Sequence, residues 1–359
     1  MNKNKKWCII FFIEFLIFII LIAGITIIVD PFFHYHKPAS FLEYPLDNQR
    51  YQNSGILKNF KYDAIVTGTS MTENFKNTEV DQLFNVNSVK VPLSGASFKE
   101  INDQLNIATK SKNQKNIKLV IRGLDFSYII QDKDAMKYNE ADYPYYIYNN
   151  NLFDDTKYIF NKEVLFNSTI KVLKYTSEGK KTPTFDEYSY WSENYEYGAA
   201  AVYQSYFRTP KEKENTHLTE EEKEKSKANI EQNLVQIVRD NPNIEFYYFY
   251  TPYSIYFFDF QNNEGNLLKI IEAEKLATEM LLEFDNVKIF SFWREPDLIT
   301  NMDNYKDIAH YGEWVNSRIL KMMKEEKWLL TKENYEAYYK RVEKKYINYD
   351  YENLFDKKH

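Results

Sequence analysis

Short apolar runs alternate with amphipathic segments along most of the chain. Five runs have the length and the β-branched or aromatic content of strands, at about 63–67, 88–93, 117–121, 246–250 and 287–290. Helical patterns lie between and after them, at about 98–111, 219–240, 264–284 and 312–325, and a further helix is expected after Ser70. Thr219 and Glu222 fit a capping box at the start of one of these helices. Such alternation predicts an α/β protein whose parallel sheet is covered by helices on both faces.

The first 30 residues follow a different pattern. Residues 2–6 are polar and carry three lysines, and residues 7–29 are apolar except for Glu14 and Thr26. As a helix with a rise of about 1.5 Å per residue, the apolar run spans roughly 35 Å, which exceeds the bilayer core of about 30 Å. No small-residue cleavage site follows, so the run predicts an uncleaved single-pass anchor in the cell membrane. The lysines place the N-terminus in the cytoplasm and the residues after Asp30 outside.

Glu14 is the one acidic residue of the apolar run. An acid at the centre of an inserted helix costs about 2.5–3.5 kcal/mol, and less toward an end. Two interpretations are open. The side chain is tolerated because it reaches the interface, or it contacts a partner protein in the membrane.

A proline at position 31 ends the anchor helix, and composition divides the rest of the chain. Residues 128–215 are rich in Tyr, Asn and Asp and interrupt the alternation of strands and helices. A segment of this length is either an aromatic-rich insertion or lid beside the sheet edge, or a helical hairpin that only packs. The predicted organisation is an anchor (1–30), a connector (31–60), an α/β domain (61–127 and 216–328), the insertion (128–215) and a partly helical tail (329–359).

Composition limits the kinds of partner. The 359-residue chain has a net charge of −6, which does not favour a nucleic-acid partner. Its single cysteine, Cys8, lies at the start of the apolar run, so neither an intramolecular disulfide nor a lipid-modified cysteine is expected. The sequence contains no cluster with metal-ligand spacing and no phosphate-binding loop, so neither a metal nor another cofactor is predicted.

The strand at 63–67 runs into the turn Gly68-Thr69-Ser70. Open α/β sheets bind their ligands at the carboxyl ends of the strands, which is where this serine is expected. Two roles fit Ser70. It begins a Ser-x-x-Glu pattern with Glu73 and so fits the cap of a helix. The position also suits a nucleophile, provided that a base lies nearby.

Asp307 and His310 lie three residues apart in a loop before the last predicted helix of the domain. At that spacing a carboxylate can accept a hydrogen bond from one ring nitrogen while the other nitrogen takes a proton from serine. Donors for an oxyanion are expected from the Ser70 backbone N–H at a helix start and from Gly95, where the backbone can be approached closely. Asp125, which follows the third strand, reaches the same edge.

These motifs resemble the four sequence blocks of the SGNH (GDSL-type) hydrolase superfamily. In chain order they are Gly68-x-Ser70, Gly95, Gly123-x-Asp125 and Asp307-x-x-His310, within roughly residues 60–325. The resemblance implies a three-layer α/β/α, flavodoxin-like sandwich, with Ser70 as nucleophile and Asp307 and His310 completing a catalytic triad. It also implies an oxyanion hole formed by Ser70, Gly95 and the residue at position 125. The family has asparagine there. Asp125 serves that role only if it is protonated, or else it binds something different.

An anchored protein of this layout resembles the teichoic acid D-alanylation and alginate O-acetylation proteins. The resemblance implies a serine acyltransferase or esterase on the outer face of the cell membrane of a Gram-positive bacterium. Its substrates would be acetyl or similar acyl groups of cell-surface polysaccharide or teichoic acid, and a membrane acyltransferase would be its partner. The insertion would offer aromatic faces for sugars, although the codon bias of an AT-rich genome also explains the 17% aromatic content. The alternative is a non-catalytic protein of the same fold that binds a surface polymer or a membrane partner.

Overall fold

The computed structural model describes residues 3–355 with the exception of 113, 150, 209, 210 and 212. Its centre is a mixed, mostly parallel sheet of six strands in the order β2-β1-β3-β4-β5-β6. The strands are Ala64–Thr67 (β1), Ser88–Lys90 (β2), Leu119–Leu124 (β3), Glu245–Tyr250 (β4), Val287–Ser291 (β5) and Leu329–Leu330 (β6). The first five pair in parallel and β6 pairs antiparallel with β5. The predicted α/β class and the parallel pairing are confirmed, whereas the antiparallel edge strand is a feature that the sequence pattern did not predict.

Helices precede, connect and follow these strands. The α-helices are Lys3–Val29 (α1), Gln49–Asn59 (α2), Asn77–Phe84 (α3), Phe98–Thr109 (α4), Tyr145–Tyr148 (α5), Thr156–Ile159 (α6), Ile170–Ser177 (α7), Ala199–Ser205 (α8), Glu220–Ile230 (α9), Gln236–Asp240 (α10), Ile255–Asn263 (α11), Leu267–Leu281 (α12), Pro296–Ile299 (α13), Glu313–Lys324 (α14) and Tyr335–Ile347 (α15). A π-helical segment, Glu163–Thr169, leads into α7, and another, Glu231–Val235, joins α9 to α10. The capping box predicted at Thr219 and Glu222 is confirmed at the start of α9.

Strand β3 lies further along the chain than the sequence pattern predicts. It covers Leu119–Leu124, so Arg122 and Gly123 belong to the strand rather than to the loop after it. A charged residue inside a central strand is unexpected, but the fully buried Arg122 donates hydrogen bonds to the backbone carbonyls of Asn233, at 2.9 Å, and Phe98, at 3.1 Å. These acceptors make burial of the guanidinium tolerable.

The predicted connector, residues 31–60, contains helix α2, which is not among the helices that the sequence pattern predicts. Most of its residues are polar, so no apolar stripe marks it in the sequence. Asn48 caps the helix by accepting from the Tyr51 backbone N–H. Gly55 packs directly on the turn after α1, because a Cβ at this position would lie 2.0 Å from the carbonyl oxygen of Phe32. The connector therefore ties the sheet domain closely to the end of α1.

The region after residue 328, predicted as a partly helical tail, contains helix α15 and packs against the sheet domain. Helix α15 lies along α12. The Tyr338 hydroxyl donates to the Ser291 carbonyl at 2.9 Å, and the Tyr339 hydroxyl donates to Oε1 of the Glu274 carboxyl group at 3.0 Å. Both tyrosines are buried. Their hydroxyls attach the C-terminal helix to β5 and α12.

Helix α1 stands apart from the core for most of its length. It is 27 residues long, and most of its large apolar side chains are exposed, including Phe12 at 70% and Phe18 at 60%. Among the described residues it is the one helix that is long and apolar enough to cross a membrane. Only its last turn is packed, since Thr26 and Val29 are buried.

The insertion at 128–215 is built of short helices and loops, not of a helical hairpin. Its first part, through α7, packs on the turn after α1 and on α2. A later part, around residues 188–197, lies beside Ser70, where the backbone N–H of Trp191 donates to Asn74 at 3.0 Å. The insertion thus connects the end of α1 with the carboxyl edge of the sheet.

Candidate active site

Ser70, His310 and Asp307 form one hydrogen-bonded chain beyond the carboxyl end of β1. The Ser70 Oγ lies 2.9 Å from His310 Nε2, and His310 Nδ1 lies 2.9 Å from an Asp307 carboxylate oxygen. When Nδ1 carries the proton that Asp307 accepts, Nε2 is free to accept the hydroxyl proton of Ser70. All three side chains are partly exposed, so a molecule from solvent can reach them. The structure brings together three residues that the sequence places 240 positions apart.

The loop that carries Asp307 is fixed by its own hydrogen bonds. One Asp307 carboxylate oxygen accepts the backbone N–H of Ala309, at 2.8 Å, and of His310, at 2.7 Å. The Ser254 hydroxyl holds the Ile308 carbonyl at 2.7 Å. Burial by itself would raise the pKa of Asp307, but the His310 ring and the two backbone N–H groups outweigh it and hold that pKa below its usual value. Asp307 therefore stays ionised and keeps the imidazole oriented.

Ser70 is not the cap that the sequence pattern suggested. The segment Ser70–Thr72 is a short 3-10 turn, and its cap is Thr69, whose hydroxyl accepts from the Met71 backbone N–H. Glu73 does not return to cap this turn. The α-helix begins only at Asn77, so the prediction of a Ser70–Glu73 capping box is wrong. Because Thr69 takes the capping role, the Ser70 hydroxyl is left for His310.

Two side chains near His310 form hydrogen bonds to the turn that carries Ser70. The Tyr311 hydroxyl and the Asn316 amide both donate to the Met71 carbonyl, at 3.3 and 3.1 Å. Both side chains are fully or nearly fully buried. Since Tyr311 follows His310 directly, the turn that carries Ser70 and the loop that carries His310 are fixed to each other.

Asp125 acts as an acceptor in the folded chain. It is 2% exposed, and its carboxylate accepts hydrogen bonds from the hydroxyls of Thr69, at 2.6 Å, Thr251, at 3.0 Å, and Tyr253. These donors follow β1 and β4, so Asp125 connects the ends of three adjacent strands. The sequence-based expectation was an oxyanion contact. The geometry instead gives Asp125 a positioning role through Thr69, the residue next to Ser70.

The two backbone N–H groups that the sequence predicts as oxyanion donors, those of Ser70 and Gly95, make no hydrogen bond within the described part of the chain. Gly95 has a φ of +63°, and a Cβ there would lie 2.4 Å from the Lys137 ammonium. Only glycine meets both conditions without strain. Both N–H groups were expected at this edge from the sequence.

Gln49 and Glu73 contribute to the site but escaped sequence reasoning. Gln49 accepts the Ser94 backbone N–H at 2.7 Å, directly before Gly95, and its amide donates to Glu73. Glu73 is buried and also accepts a hydrogen bond from the Trp191 side chain. Burial raises the pKa of Glu73, although these hydrogen bonds and the His310 charge act in the opposite direction. The pair thus joins the segment that carries Gly95 to the insertion.

The insertion supplies an aromatic wall beside the triad. The Trp191 ring meets the His310 ring edge-to-face, with ring centroids 5.7 Å apart. The Lys306 ammonium lies 3.6 Å from the ring centre of Tyr195 and 4.5 Å from that of Trp191. The same ammonium is 3.9 Å from Asp307. A substrate that approaches Ser70 therefore passes aromatic faces and one cation.

Two cavities are candidate places for a substrate. A cavity of about 370 Å³ opens beside the Gly95 segment and is lined by Asp47, Asn48, Gln49, Arg50, Ser94 and Ser189. A second cavity, of about 660 Å³, lies between α2 and α4. None of Ser70, Asp307 and His310 lines either cavity. The smaller cavity adjoins Ser94, the residue before Gly95, so it is the better candidate place for a substrate.

Comparisons of the chain with protein-family models, with curated proteins and with solved structures find no match. Within the described residues, no group of three or more His, Cys, Asp or Glu side chains could hold a metal ion. Functional inference therefore depends on the geometry around Ser70.

Proposed function

We propose that this protein is a membrane-anchored, extracytoplasmic serine esterase or acyltransferase of the SGNH hydrolase type. The observation that carries the proposal is the hydrogen-bonded chain from Ser70 through His310 to Asp307. Its geometry is that of a nucleophile, a general base and a group that orients the base. The two free N–H groups of Ser70 and Gly95 add donors for a developing oxyanion.

We also propose that the sheet belongs to a three-layer, flavodoxin-like sandwich. Its five parallel strands have the order 2-1-3-4-5, which is the order of flavodoxin-like sheets. In such sheets the ligand site lies where the chain connections diverge, between β1 and β3. Ser70 follows β1 and Asp125 follows β3, which agrees with a site at this position.

The proposed reaction proceeds in two steps. Ser70 Oγ attacks the acyl carbonyl while His310 Nε2 takes its proton, and the oxyanion receives the Ser70 and Gly95 N–H groups. The imidazolium returns the proton to the leaving alcohol, which departs as the carbonyl reforms on Ser70. In the second step, water or a glycan hydroxyl gives its proton to His310 and attacks the acyl-serine. The imidazolium then returns this proton to Ser70 Oγ as the acyl–Oγ bond breaks, which releases the acyl product and restores the Ser70 hydroxyl.

The substrate class follows from the anchor and the distance to it. The positive-inside rule orients the domain outward. Helix α2 carries Asn59 against the Phe33 carbonyl at one end and Gln49 against the Gly95 segment at the other. Eleven residues span about 16 Å, so Ser70 works close to the membrane surface. Acyl groups of cell-surface polysaccharide or teichoic acid fit this location, and a membrane acyltransferase is the proposed partner in their transfer.

Asp125 keeps a second candidate function open. It offers no hydrogen-bond donor to an oxyanion. The proposed oxyanion hole therefore has two donors, both backbone N–H groups, whereas the SGNH family has a third donor from asparagine. A non-catalytic protein of this fold, which binds a surface polymer or a membrane partner, is compatible with that loss.

Hydrolysis of a small acetyl ester by the detergent-solubilised full-length protein tests the proposal. We expect turnover by the wild type, and a loss of at least about a thousandfold in Ser70→Ala, because the nucleophile is removed. Ser177→Ala, at an exposed serine of α7, is the matched control and should retain full activity. Equal hydrolysis by wild type and Ser70→Ala would refute the assignment of the nucleophile.

A further inference from the structure

The insertion presents large apolar side chains to the outside. In the helical segment made by Glu163–Thr169 and α7, Phe166, Ile170 and Leu173 are 62%, 52% and 43% exposed. Their spacing of four and three residues places them on one side of the helix, called here the apolar face. Val164 and Val172 on the other side are buried. Phe153 and Phe160, in the preceding turns, are exposed as well. Nothing within the described chain covers the apolar face.

Polar contacts fasten this part of the insertion to the end of α1. The Tyr158 hydroxyl donates to Asp30 at 2.6 Å, in the first residue after the helix. His34 Nε2 lies 3.1 Å from an Asp155 carboxylate oxygen. Helix α6 and the π-helical segment also contact α1 directly. The apolar face is therefore held at the level where α1 ends.

A second attachment is found at the far end of α7. The Thr176 hydroxyl accepts the Glu43 backbone N–H at 2.8 Å. Tyr158 and Val164 share a small buried cluster with Phe32, two residues beyond Asp30. With both ends fixed, the segment cannot easily rotate to bury the face against its own domain.

The charge of the segment agrees with a lipid surface. Residues 156–177 contain four lysines and one acidic residue, although the whole chain has a net charge of −6. Lys157 and Lys174 are 66% and 72% exposed. An apolar face flanked by lysines is the composition of helices that lie in a membrane interface, with the apolar side about 5–10 Å deep.

We infer that the apolar face docks into the outer surface of the same bilayer that α1 crosses, with lipid acyl chains and headgroups as its partner. Such docking would fix the tilt of the domain and hold Ser70 at a constant height above the lipid. The inference rests on the membrane anchor of the proposed function and is independent of the serine chemistry.

Fluorescence quenching by lipids tests this inference on the full-length chain. Cys8→Ser removes the only cysteine, and Phe166→Cys or Ile170→Cys then introduces one label site for an environment-sensitive dye. Each variant is reconstituted at low density into phosphatidylcholine–phosphatidylglycerol vesicles that contain no other protein. Doxyl-labelled acyl chains serve as the quencher. Ile17→Cys, within α1, is the positive control, and Lys321→Cys, on the exposed side of α14, is the negative control.

We expect strong quenching at positions 17, 166 and 170 and little at 321. If the label at position 17 is quenched but the labels at 166 and 170 show as little quenching as that at 321, the docking is wrong and the anchor stands. No quenching at 17 would remove the anchor and the docking together. If the label at position 166 is protected from aqueous iodide, and this protection is lost when the protein is diluted in the bilayer, the face is covered by a second copy of the chain. If the label is protected only in native membranes, the face is covered by a protein partner. Either result would overturn the assignment to lipid.

Discussion

Asp125 differs from the asparagine of the SGNH family in what it can offer at the site. Its side chain accepts from three hydroxyls and orients Thr69, the residue before Ser70. The sequence allowed the oxyanion role only for a protonated Asp125. The observed contacts instead require a side chain that accepts hydrogen bonds. Aspartate at position 125 therefore helps to fix the position of the Ser70 turn.

We predict that Asp125→Asn lowers both stability and activity. The amide would present N–H groups to hydroxyls that now donate, leaving a buried donor unpaired at a cost of about 1–3 kcal/mol. A shifted Ser70 turn should reduce kcat by up to about a hundredfold. Thr251→Val is the control, since it removes one donor to the same carboxylate and leaves the Thr69 contact in place. An increase of kcat in Asp125→Asn would instead assign this position to the oxyanion hole.

The sequence allowed the triad to be proposed because Ser70, Asp307 and His310 lie in recognisable local motifs. Gln49, Glu73 and Trp191 lie in no motif. Their place in the site depends on contacts between the connector, the nucleophile turn and the insertion. For example, Gln49 meets Ser94 across 45 positions. Single-sequence reasoning has no signal for such pairs.

Among the elements, helix α15 is attached through a buried carboxyl group. Glu274 of α12 is fully buried and accepts from the hydroxyls of Ser291, at 2.8 Å, and Tyr339, at 3.0 Å. Burial raises the pKa of Glu274 to about 8, and the two hydrogen bonds only partly oppose it. The folded protein therefore keeps this carboxyl protonated at neutral pH.

A pH dependence of stability follows from Glu274. Between its ordinary value of 4.5 and about 8, the unfolded chain releases this proton while the folded chain retains it. The stabilising contribution is complete below pH 4.5 and is lost as the pH rises to about 8, with a slope of at most about 1.4 kcal/mol per pH unit. Glu274→Gln should lack this slope. Urea unfolding in detergent measures both proteins, and parallel stability curves would rule out the shifted pKa.

The elements also show where local patterns mislead. The β4 and β5 boundaries were predicted to within one residue, since apolar runs of strand length are unambiguous there. The predicted bounds of strand β3 end too early, because a charged residue such as Arg122 usually marks the end of a buried strand. Helix α2 was missed because three of its six buried residues are polar, and two of these, Gln52 and Asn53, bond to carbonyls outside the helix. In each case tertiary hydrogen bonds replaced the apolar pattern on which the prediction depends.

At the scale of the whole molecule, α2 connects the end of helix α1 to the carboxyl edge of the sheet. Asn59 binds the Phe33 carbonyl at 2.7 Å, and Gln49 binds the Ser94 N–H at the opposite end. The insertion makes a second connection between the same two regions. The position of the sheet domain relative to α1 is therefore linked to the geometry around Ser70. No single segment of the sequence indicates this link.

We predict that Gly55→Ala weakens this connection. The new Cβ would lie 2.0 Å from the Phe32 carbonyl oxygen, so the backbone of α2 or of the turn must move. Overpacking of this kind costs about 1–3 kcal/mol. Thermal unfolding of the detergent-solubilised protein should show a lower Tm, whereas Gly24→Ala, also inside a helix but with nothing within 4 Å of the new Cβ, is the matched control and should not lower it. Equal losses in both variants would contradict close packing at Gly55.

The central claim is that Ser70 is an activated nucleophile. Mass spectrometry after treatment of the full-length protein with a fluorophosphonate probe tests it most directly. The account predicts one adduct per chain, mapped to Ser70, absent from Ser70→Ala and strongly reduced in His310→Ala, because the imidazole that takes the hydroxyl proton is removed. A folded wild-type protein that remains unmodified, or is modified equally in Ser70→Ala, would contradict it.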